Sequence, residues 1–558
     1  MRRITAFVVA ASLTVFGLAA CSSVPDSGPV REGLRSLDQG ERGVLINPSG
    51  PVAGADQETI VRGFIRAGSS NENDYAIARE FLAPSYADNW DPSLGVLVND
   101  GTMQYEGTDE GIAVISLHVT ANVDENGTLT PAEPGRTTDV QFELARIDGE
   151  WRITSAPAGL ILDRNTFLTV WTTRPLFFLS PNQRLVSEWR WFLNRPTLPT
   201  QVVRGLLQGP SEAMAPALYT AFPTGTQLTS NAVPVNDDTA IIDLSPEIFD
   251  ANDEQMAQIK RQIAASLLAV GGITGFQLTV HGTPIDNEVT PVAEDTSGSE
   301  RQGVYVISEG SLLEVTSDGM KPVGRIGVSV DDLEPRSLTV GSDGESAAVL
   351  GSNGTTYVTE NASILIDERP GQLTPSLDPF GFVWTYSGTE PEHILATPSS
   401  REQRDFGMPW LGAGKVVAAR VSMSGSRLAL LVDDDETSRV VIAGIIRDEN
   451  GTPTGLTTGV PQLWEEGAPI DMDWIGGSRF AVLSQTGLLG GSAKVTIGEV
   501  GGRFPQEAGA VAGGTGITGG NNRQQLRIVD DQGRLFAPQG GAGWQQLLSG
   551  VDVLAKIG

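Results

Sequence analysis

The sequence predicts a multidomain protein: an α+β domain of helices on a curved, cone-like sheet, a second α+β domain, and an all-β C-terminal propeller. Three observations lead there. Between Asp56 and Ile153 a helical apolar spacing gives way to strict alternation. From Leu185 to Gly282 the period changes again, around one long amphipathic stretch at Asp253–Val270. From Gly303 onward an alternating strand, a Ser/Asp/Gly turn and a buried apolar strand recur. The 66 glycines and 33 prolines provide the turns that such a β-rich chain needs.

The chain opens on Arg2 and Arg3, followed by an apolar run from Ala6 to Ala20 that closes in Leu18-Ala19-Ala20-Cys21. A basic flank, a short apolar core and small residues at its end describe a secretory signal peptide. The run is short for a transmembrane helix, which needs roughly 20 apolar residues. Cys21 is the only cysteine. Leu-Ala-Ala-Cys resembles the lipobox of bacterial lipoproteins. That resemblance implies cleavage between Ala20 and Cys21, a diacylglyceryl group on the Cys21 sulfur, and an N-acyl group such as palmitate on its freed amine. The alternative is an ordinary signal peptide beside a chance cysteine. Two or three acyl chains hold a protein to a bilayer where one is marginal, at about 0.8 kcal/mol per buried CH2. The lipobox reading places everything after Cys21 on the extracytoplasmic face of the cell membrane.

The 558 residues suffice for about three or four domains. The formal net charge is −30. Removing residues 1–20 takes away two arginines and no acid, so the mature chain is more acidic still. Such a field repels nucleic acid and anionic headgroups, so membrane attachment has to come from the lipid. A single cysteine excludes an internal disulfide, and stability rests on packed cores.

Taken in order, residues 1–20 form the signal peptide and residues 21–53, rich in Ser, Pro and Gly, a tether. Residues 54–180 form the first domain. Asp56 is a good N-cap for a helix that places Ile60, Val61, Phe64 and Ile65 on one face. Tyr75, Ala78, Phe81 and Leu82 extend a second helical pattern that Pro84 stops. Val114, Ser116, His118 and Thr120 alternate with Ile115, Leu117 and Val119 in a strand. Asp124-Glu125-Asn126-Gly127 turns the chain, Val140–Ile147 returns as its partner, and Asp148-Gly149-Glu150 turns into Trp151–Ile153. By analogy this is a nuclear-transport-factor cone, a likeness that says little about function.

Residues 181–283 form the second domain. Val186–Phe192 and Pro199–Leu207 read as helices, Ala240–Leu244 as a strand, Asp253–Val270 as the clearest helix, and Phe276–Val280 as a closing strand. Leu206-Leu207-Gln208-Gly209-Pro210, Phe222-Pro223-Thr224-Gly225-Thr226 and Ala240-Ile241-Ile242-Asp243-Leu244-Ser245 resemble, in order and spacing, the GerMN domain of bacterial extracytoplasmic proteins. Residues 284–302 are acidic and polar and read as a linker. In residues 303–558, Ser337–Leu350, Pro375–Trp384, Arg420–Leu431 and Asp471–Leu483 repeat the strand–turn–strand unit. A period of roughly 40–50 residues means a propeller of about six blades; a pair of β-sandwiches is the weaker alternative.

Lipobox, helix-on-sheet domain, GerMN domain and propeller, in that order, resemble the LpqB family of actinobacterial lipoproteins over nearly the whole mature chain. The resemblance implies a non-enzymatic accessory protein. It implies contact with the extracytoplasmic domain of a sensor histidine kinase, MtrB, and modulation of the MtrA–MtrB two-component system, with effects on cell-envelope homeostasis and division. It carries no catalytic residue, and only Cys21 transfers to this sequence.

The residues themselves offer little chemistry. His118, His281 and His393 lie in different expected domains and read as structural. There is no Gly-x-Ser-x-Gly elbow, no His-Glu-x-x-His, and one cysteine makes no thiolate zinc site; no metal and no cofactor is expected. Gly412-Ala413-Gly414-Lys415 resembles the end of a P-loop, but Val416 and Pro409 break it. Gly514–Gly519 fits Gly-x-Gly-x-x-Gly without a preceding strand and reads as a flexible blade loop. Asp433–Glu436 reads as a solvated hairpin tip rather than a calcium loop, and Asp448–Gly451 as another turn. Trp384, Trp410, Trp464, Trp474 and Trp544 are blade-packing candidates, one or two of which could line the mouth of the ring. The rival functions are a propeller glycosidase or lyase, marked by two buried carboxylates in one pocket, and a carrier or sensor of cell-wall precursors, marked by an aromatic groove.

Overall fold

The computed structural model describes residues 48–286, 288–292, 303–486 and 491–558. The expected signal peptide, its Ala20–Cys21 cleavage site, the Cys21 lipidation site and most of the tether lie outside the described residues. None of the helices described is long and apolar enough to cross a membrane.

Asp56 caps the first helix, α1 (Gln57–Ala67), by accepting the Thr59 N–H at 2.9 Å. Ile60, Val61, Phe64 and Ile65 are buried on its inner face, as their spacing requires. The second helical pattern yields only the short α2 (Ala76–Arg79). Pro84 does not stop it but opens another short helix, α3 (Pro84–Ala87). Proline lacks the N–H that the first helical position leaves unused, and its fixed φ suits that position. The helices cover a sheet in the order β5-β4-β2-β1-β6 (Glu150–Ser155, Thr137–Ile147, Ile112–Asp124, Gly95–Gly107, Leu160–Asp163), with the short β3 (Leu129–Pro131) also on β2. Along β2, Ile115, Leu117, Ala121 and Val123 are buried while His118 and Asn122 face out.

Helix α4 (Arg164–Val170) leads into a hairpin, β7 (Trp171–Leu179) and β8 (Leu185–Leu193), paired over nine residues from Trp171↔Leu193 to Leu179↔Leu185. Val186–Phe192, read above as helical, is therefore a strand. Both faces of β8 are covered, so apolar residues fall on both and the period of two is hidden. The expected boundary at 180/181 falls in the turn of this hairpin. Helix α5 (Leu198–Gln208) follows, then β9 (Val235–Asn236) and β10 (Thr239–Leu244). Helix α6 (Asp253–Leu268) crosses to β11 (Gly275–Val280), which pairs in parallel with β10 from Thr239↔Gly275 to Leu244↔Val280. Within the segment read as a linker, Thr290–Pro291 folds back onto β11, and Ile285 and Val292 pack on the second core.

Six sheets then follow in chain order, each blade running from an inner to an outer strand. The four repeats read in the sequence are the two inner strands and connecting turns of blades 2 to 5. Val553–Leu554 adds to blade 1 and closes the ring, and Lys556–Ile557 runs beside the first strand of blade 2. Polar ties join the inner strands of different blades, neighbours and non-neighbours alike. Arg420 of blade 4 donates to the Pro375 carbonyl at 2.9 Å, to Thr339 Oγ1 at 3.2 Å and to Asp473 at 3.3 Å. Asp473 also accepts the Gly519 N–H at 2.9 Å. Lys556 is buried and pairs with Asp471 at 2.6 Å.

Gly514–Thr518, expected as a flexible loop, is the inner strand of blade 6. Its glycines answer crowding at the ring centre: a Cβ on Gly519 would overlap the Trp474 carbonyl oxygen. Outside the centre, Asp378 of blade 3 is saturated. It accepts the Phe380 and Phe382 N–H groups at 2.9 Å each, the Trp384 indole at 2.8 Å and the Arg447 guanidinium of blade 4 at 2.5 Å. The Asp378 and Arg447 side chains have no exposure. Removing the carboxylate strands a buried cation and three other donors. Asp378→Ala should lower unfolding free energy by about 3–5 kcal/mol, read in urea denaturation of the mature chain, and a change below about 1 kcal/mol would show that the pair does not hold blades 3 and 4 together.

Candidate functional site

The β7–β8 hairpin is where the three parts of the molecule meet, and its alternate residues go to different neighbours. Val186 and Phe192 enter the core of the second domain. Between them Glu188 and Arg190 form a buried pair at 3.0 Å. Glu188 also accepts the Ser211 N–H at 3.0 Å, and Arg190 donates to the Gly209 carbonyl at 2.9 Å. The Gly209-Pro210 step of the recognised motif is thus the turn that closes over this pair.

The opposite face of β8 turns to the propeller. Trp189 donates its indole N–H to Ser478 Oγ at 3.1 Å, and Trp191 donates to the Gly502 carbonyl at 3.1 Å. Arg427 of blade 4 reaches back, donating to the Ser187 carbonyl and to the Gly477 carbonyl at 2.7 Å each. Burial pushes its guanidinium down to about 10, against the opposing pull of Glu188. Phe504, on the same propeller turn as Gly502, packs against Phe167 and Trp191 of the first core, with Arg164 4.3 Å above its ring.

The first domain seats on the same strand through its Asp124–Gly127 turn. Asp124 accepts the Asn126 and Thr128 N–H groups at 2.9 and 2.8 Å, and the Gly127 carbonyl accepts the Trp191 N–H at 2.7 Å. Gly127 has φ +79°, and a Cβ there would overlap the Trp191 carbonyl oxygen.

Beside this joint, between the first and second domains, lies a cleft of about 790 Å³. Trp90, Trp171, Trp191 and Tyr75 supply its aromatic wall, and Arg79, Arg195 and Arg204 its cations. Asp74, Asp88, Asp91 and Glu125 supply carboxylates. Trp90 is 3% exposed, and its indole nitrogen has no hydrogen-bond partner; nor do Trp171 Nε1 and Arg195 Nε. Burial pushes the Tyr75 hydroxyl up to about 12, with Arg195 opposing and Asp74 adding. Asn73, Asp74 and Tyr75 hold consecutive positive φ angles of 47°, 57° and 59° at its edge. Of these residues only Tyr75, as an apolar helix position, and Glu125, in a turn, were named from the sequence, and none as part of a site. The available signal was the crowding of Trp171, Trp189 and Trp191 around one hairpin.

The residues that were singled out do not gather there. His118 is exposed, 3.4 Å from Asp100. His281 is exposed just beyond β11. His393 pairs with Asp405 at 2.9 Å, which raises its pKa by hydrogen bonding and charge. Gly414 precedes the first strand of blade 4, which starts at Lys415. Asp433–Glu436 caps a hairpin in which the half-buried Asp434 binds Arg439. Asp448 closes its turn by accepting the Asn450 and Thr452 N–H groups at 2.9 Å. Trp384 and Trp474 are buried within blades, and Trp544 donates to the Ala508 carbonyl at 3.0 Å. Trp410 packs on the blade 3–4 core, and Trp464 lies under Arg439. No group of three His, Cys, Asp or Glu side chains suited to a metal occurs among the described residues.

Three family models match the chain in succession. "Lipoprotein LpqB, N-terminal domain" covers residues 50–168, "Sporulation and spore germination" covers 175–286, and "Lipoprotein LpqB beta-propeller domain" covers 310–554. Similar curated proteins carry the name Lipoprotein LpqB. That of Bifidobacterium longum is 28% identical, covering 83% of each chain. That of Thermobifida fusca is 25% identical over 87% of this chain and 88% of its own. That of Cutibacterium acnes is 22% identical over 96% and 97%.

The joint makes a specific demand at Gly127. Gly127→Ala should displace the turn from Trp191 and cost about 1–3 kcal/mol. In scanning calorimetry of the mature chain the first domain should then melt ahead of the rest. An unchanged thermogram would mean that the turn does not fasten that domain.

Proposed function

The chain belongs to the LpqB family of lipoproteins, and from that premise we propose a membrane-anchored accessory protein that works by binding. Its partner is the extracytoplasmic domain of a sensor histidine kinase of the MtrB type. Its role is to modulate the MtrA–MtrB two-component system and, through it, cell-envelope homeostasis and division. Cys21 carries the diacylglyceryl and acyl chains on the extracytoplasmic face, and residues 21–53 lift the body off the bilayer.

The observation that carries this reading is the joint on the β7–β8 hairpin. It fastens two small domains and a propeller together through Trp189, Trp191, Arg427 and Gly127. A body fastened in this way presents a fixed surface, so little ordering entropy is lost when a partner docks. Confinement to one membrane raises the effective concentration of two anchored proteins, so a weak interface suffices. The strong negative charge keeps the body away from anionic headgroups and leaves the lipid as the attachment.

The non-enzymatic part of the proposal draws on the carboxylates of the propeller. Asp471 and Asp473, near the ring centre, are held by Lys556 and Arg420. Asp434 and Glu499, whose pKa values burial raises, stand on blades 4 and 5 rather than in one pocket. A glycosidase would need two such groups facing one bond.

Calorimetry of the mature chain with the kinase ectodomain should show saturable binding, and crosslinks should map to discrete propeller or domain loops. Relative to the lipidated protein sharing a membrane with the kinase, Cys21→Ala should raise the amount needed for a half-maximal signalling response by about a hundredfold. Absence of binding in a shared membrane would sink the partner assignment, and full potency of the unanchored variant would sink the tethering argument.

A further inference from the structure

We propose that a pocket between blades 5 and 6 of the propeller binds an acidic side chain presented by a protein partner. This stands apart from the kinase reading, because it rests on the walls of the pocket alone. Arg479 opens the second strand of blade 5, and Arg503 and Phe504 lie in the turn before its outer strand. Arg523 begins a short helix of blade 6, Arg523–Gln525. With Glu499 and Glu507 they line a space of about 200 Å³. That is less than the roughly 300–1,000 Å³ of a site for a free small molecule, and it suits a single inserted side chain.

The three guanidinium groups are accessible and have donors to spare. Arg503 is exposed, and Arg479 and Arg523 are partly exposed. Among the described residues none of the three has a carboxylate within ion-pair distance. Arg523 gives one N–H to the Gly541 carbonyl. Glu499 takes the backbone N–H of Arg503 at 3.2 Å rather than its guanidinium. Burial raises the Glu499 pKa, against that hydrogen bond and the charges of Arg479 and Arg503. Three cations facing two carboxylates leave the walls with an excess of positive charge, in a chain whose net charge is −30. Arg164 of α4 stands next to them, 4.3 Å above the Phe504 ring. A guanidinium fork matches a carboxylate in two parallel hydrogen bonds, and arginine beside a partly exposed aromatic ring is the composition of a protein-binding hot spot.

Other anions fit less well. A phosphate group carries about −1.5 to −2 charges near pH 7, more than the walls offset. A nucleic acid or an anionic bilayer would meet the whole acidic body rather than one pocket. A single acidic segment feels mainly the charges within a Debye length, about 8 Å at physiological ionic strength, and on the pocket walls cations outnumber carboxylates. The pocket also borders the joint, since Phe504 packs on Phe167 and Trp191. Its wall is therefore fixed before a partner arrives, and little ordering entropy is lost on docking.

The test is titration of the mature chain with acetylated, amidated tetraglutamate, read by heat and by a fluorescent label on the peptide. Inorganic phosphate serves as the small-anion probe. The peptide should saturate below about 5 mM. Raising the salt from about 20 to about 500 mM should weaken it about tenfold. Arg479→Gln and Arg503→Gln each remove a charged donor and should each weaken it about tenfold. Glu507→Gln leaves the arginines in place, removes a competing carboxylate and should tighten binding about twofold. Arg136→Gln, exposed on the first domain, should leave it unchanged, and melting curves identify any variant that fails to fold. The proposal is overturned if the peptide does not saturate, if phosphate saturates and the peptide does not, or if the folded arginine variants and Glu507→Gln all bind the peptide as the parent does.

Discussion

A strand covered on both faces governs this molecule. In β8 the even-numbered residues from Val186 to Phe192 belong to the second domain, and Ser187, Trp189 and Trp191 belong to its neighbours. A hairpin in water is marginal by itself. This one gains its order by being shared, and in exchange it fixes how three bodies stand to one another. The same sharing explains the buried charges around it. Glu188 and Arg190 neutralise each other inside the second domain and fix the Gly209-Pro210 turn. Among the described residues Arg427 has no carboxylate at contact distance and is held by two carbonyls, Gly477 of its own propeller and Ser187 across the joint. The Ser187 bond exists only when the joint is closed, so it favours one docking geometry over other loose ones.

The propeller solves a related problem with different means. Its inner strands crowd the axis, and each blade has to be tied to the next. Arg420, Asp473, Thr339, Gly519 and Lys556 tie blades 2, 4, 5 and 6 together, some of them between blades that are not adjacent, with a glycine where Gly519 meets the Trp474 carbonyl. The Val553–Leu554 strand completes blade 1, so the ring is closed by pairing distant parts of the chain rather than by a local turn. Closure of this kind pairs residues far apart in the chain, whose loop entropy has to be overcome by the contacts they make.

What could be read from the sequence follows from how local each signal is. The Asp56 cap, the α6 stripe, the alternating β2 and the four blade turns are all local, and each came out as read. The β8 strand was misread because tertiary burial on both faces erased its period. Gly514–Thr518 was misread because a glycine-rich run signals looseness locally, whereas here it marks crowding that only the closed ring creates. The cleft was not readable at all. Its walls come from three separated stretches, around residues 74–93, 125–127 and 171–208, and no spacing rule joins them. The lipobox, by contrast, is a linear signal that needs no fold to be recognised, and it lies outside the described residues.

Trp191 is where the cleft and the joint become one structure. Its backbone N–H holds the first domain through Gly127, its indole holds the propeller through Gly502, and its side chain forms part of the cleft wall. A change of rotamer at Trp191 would break its indole bond to Gly502 and its packing on Phe167 and Phe504, while the backbone bond to Gly127 does not depend on the rotamer. Trp191 therefore ties the placement of the first domain, the hairpin of the second and the propeller to one residue.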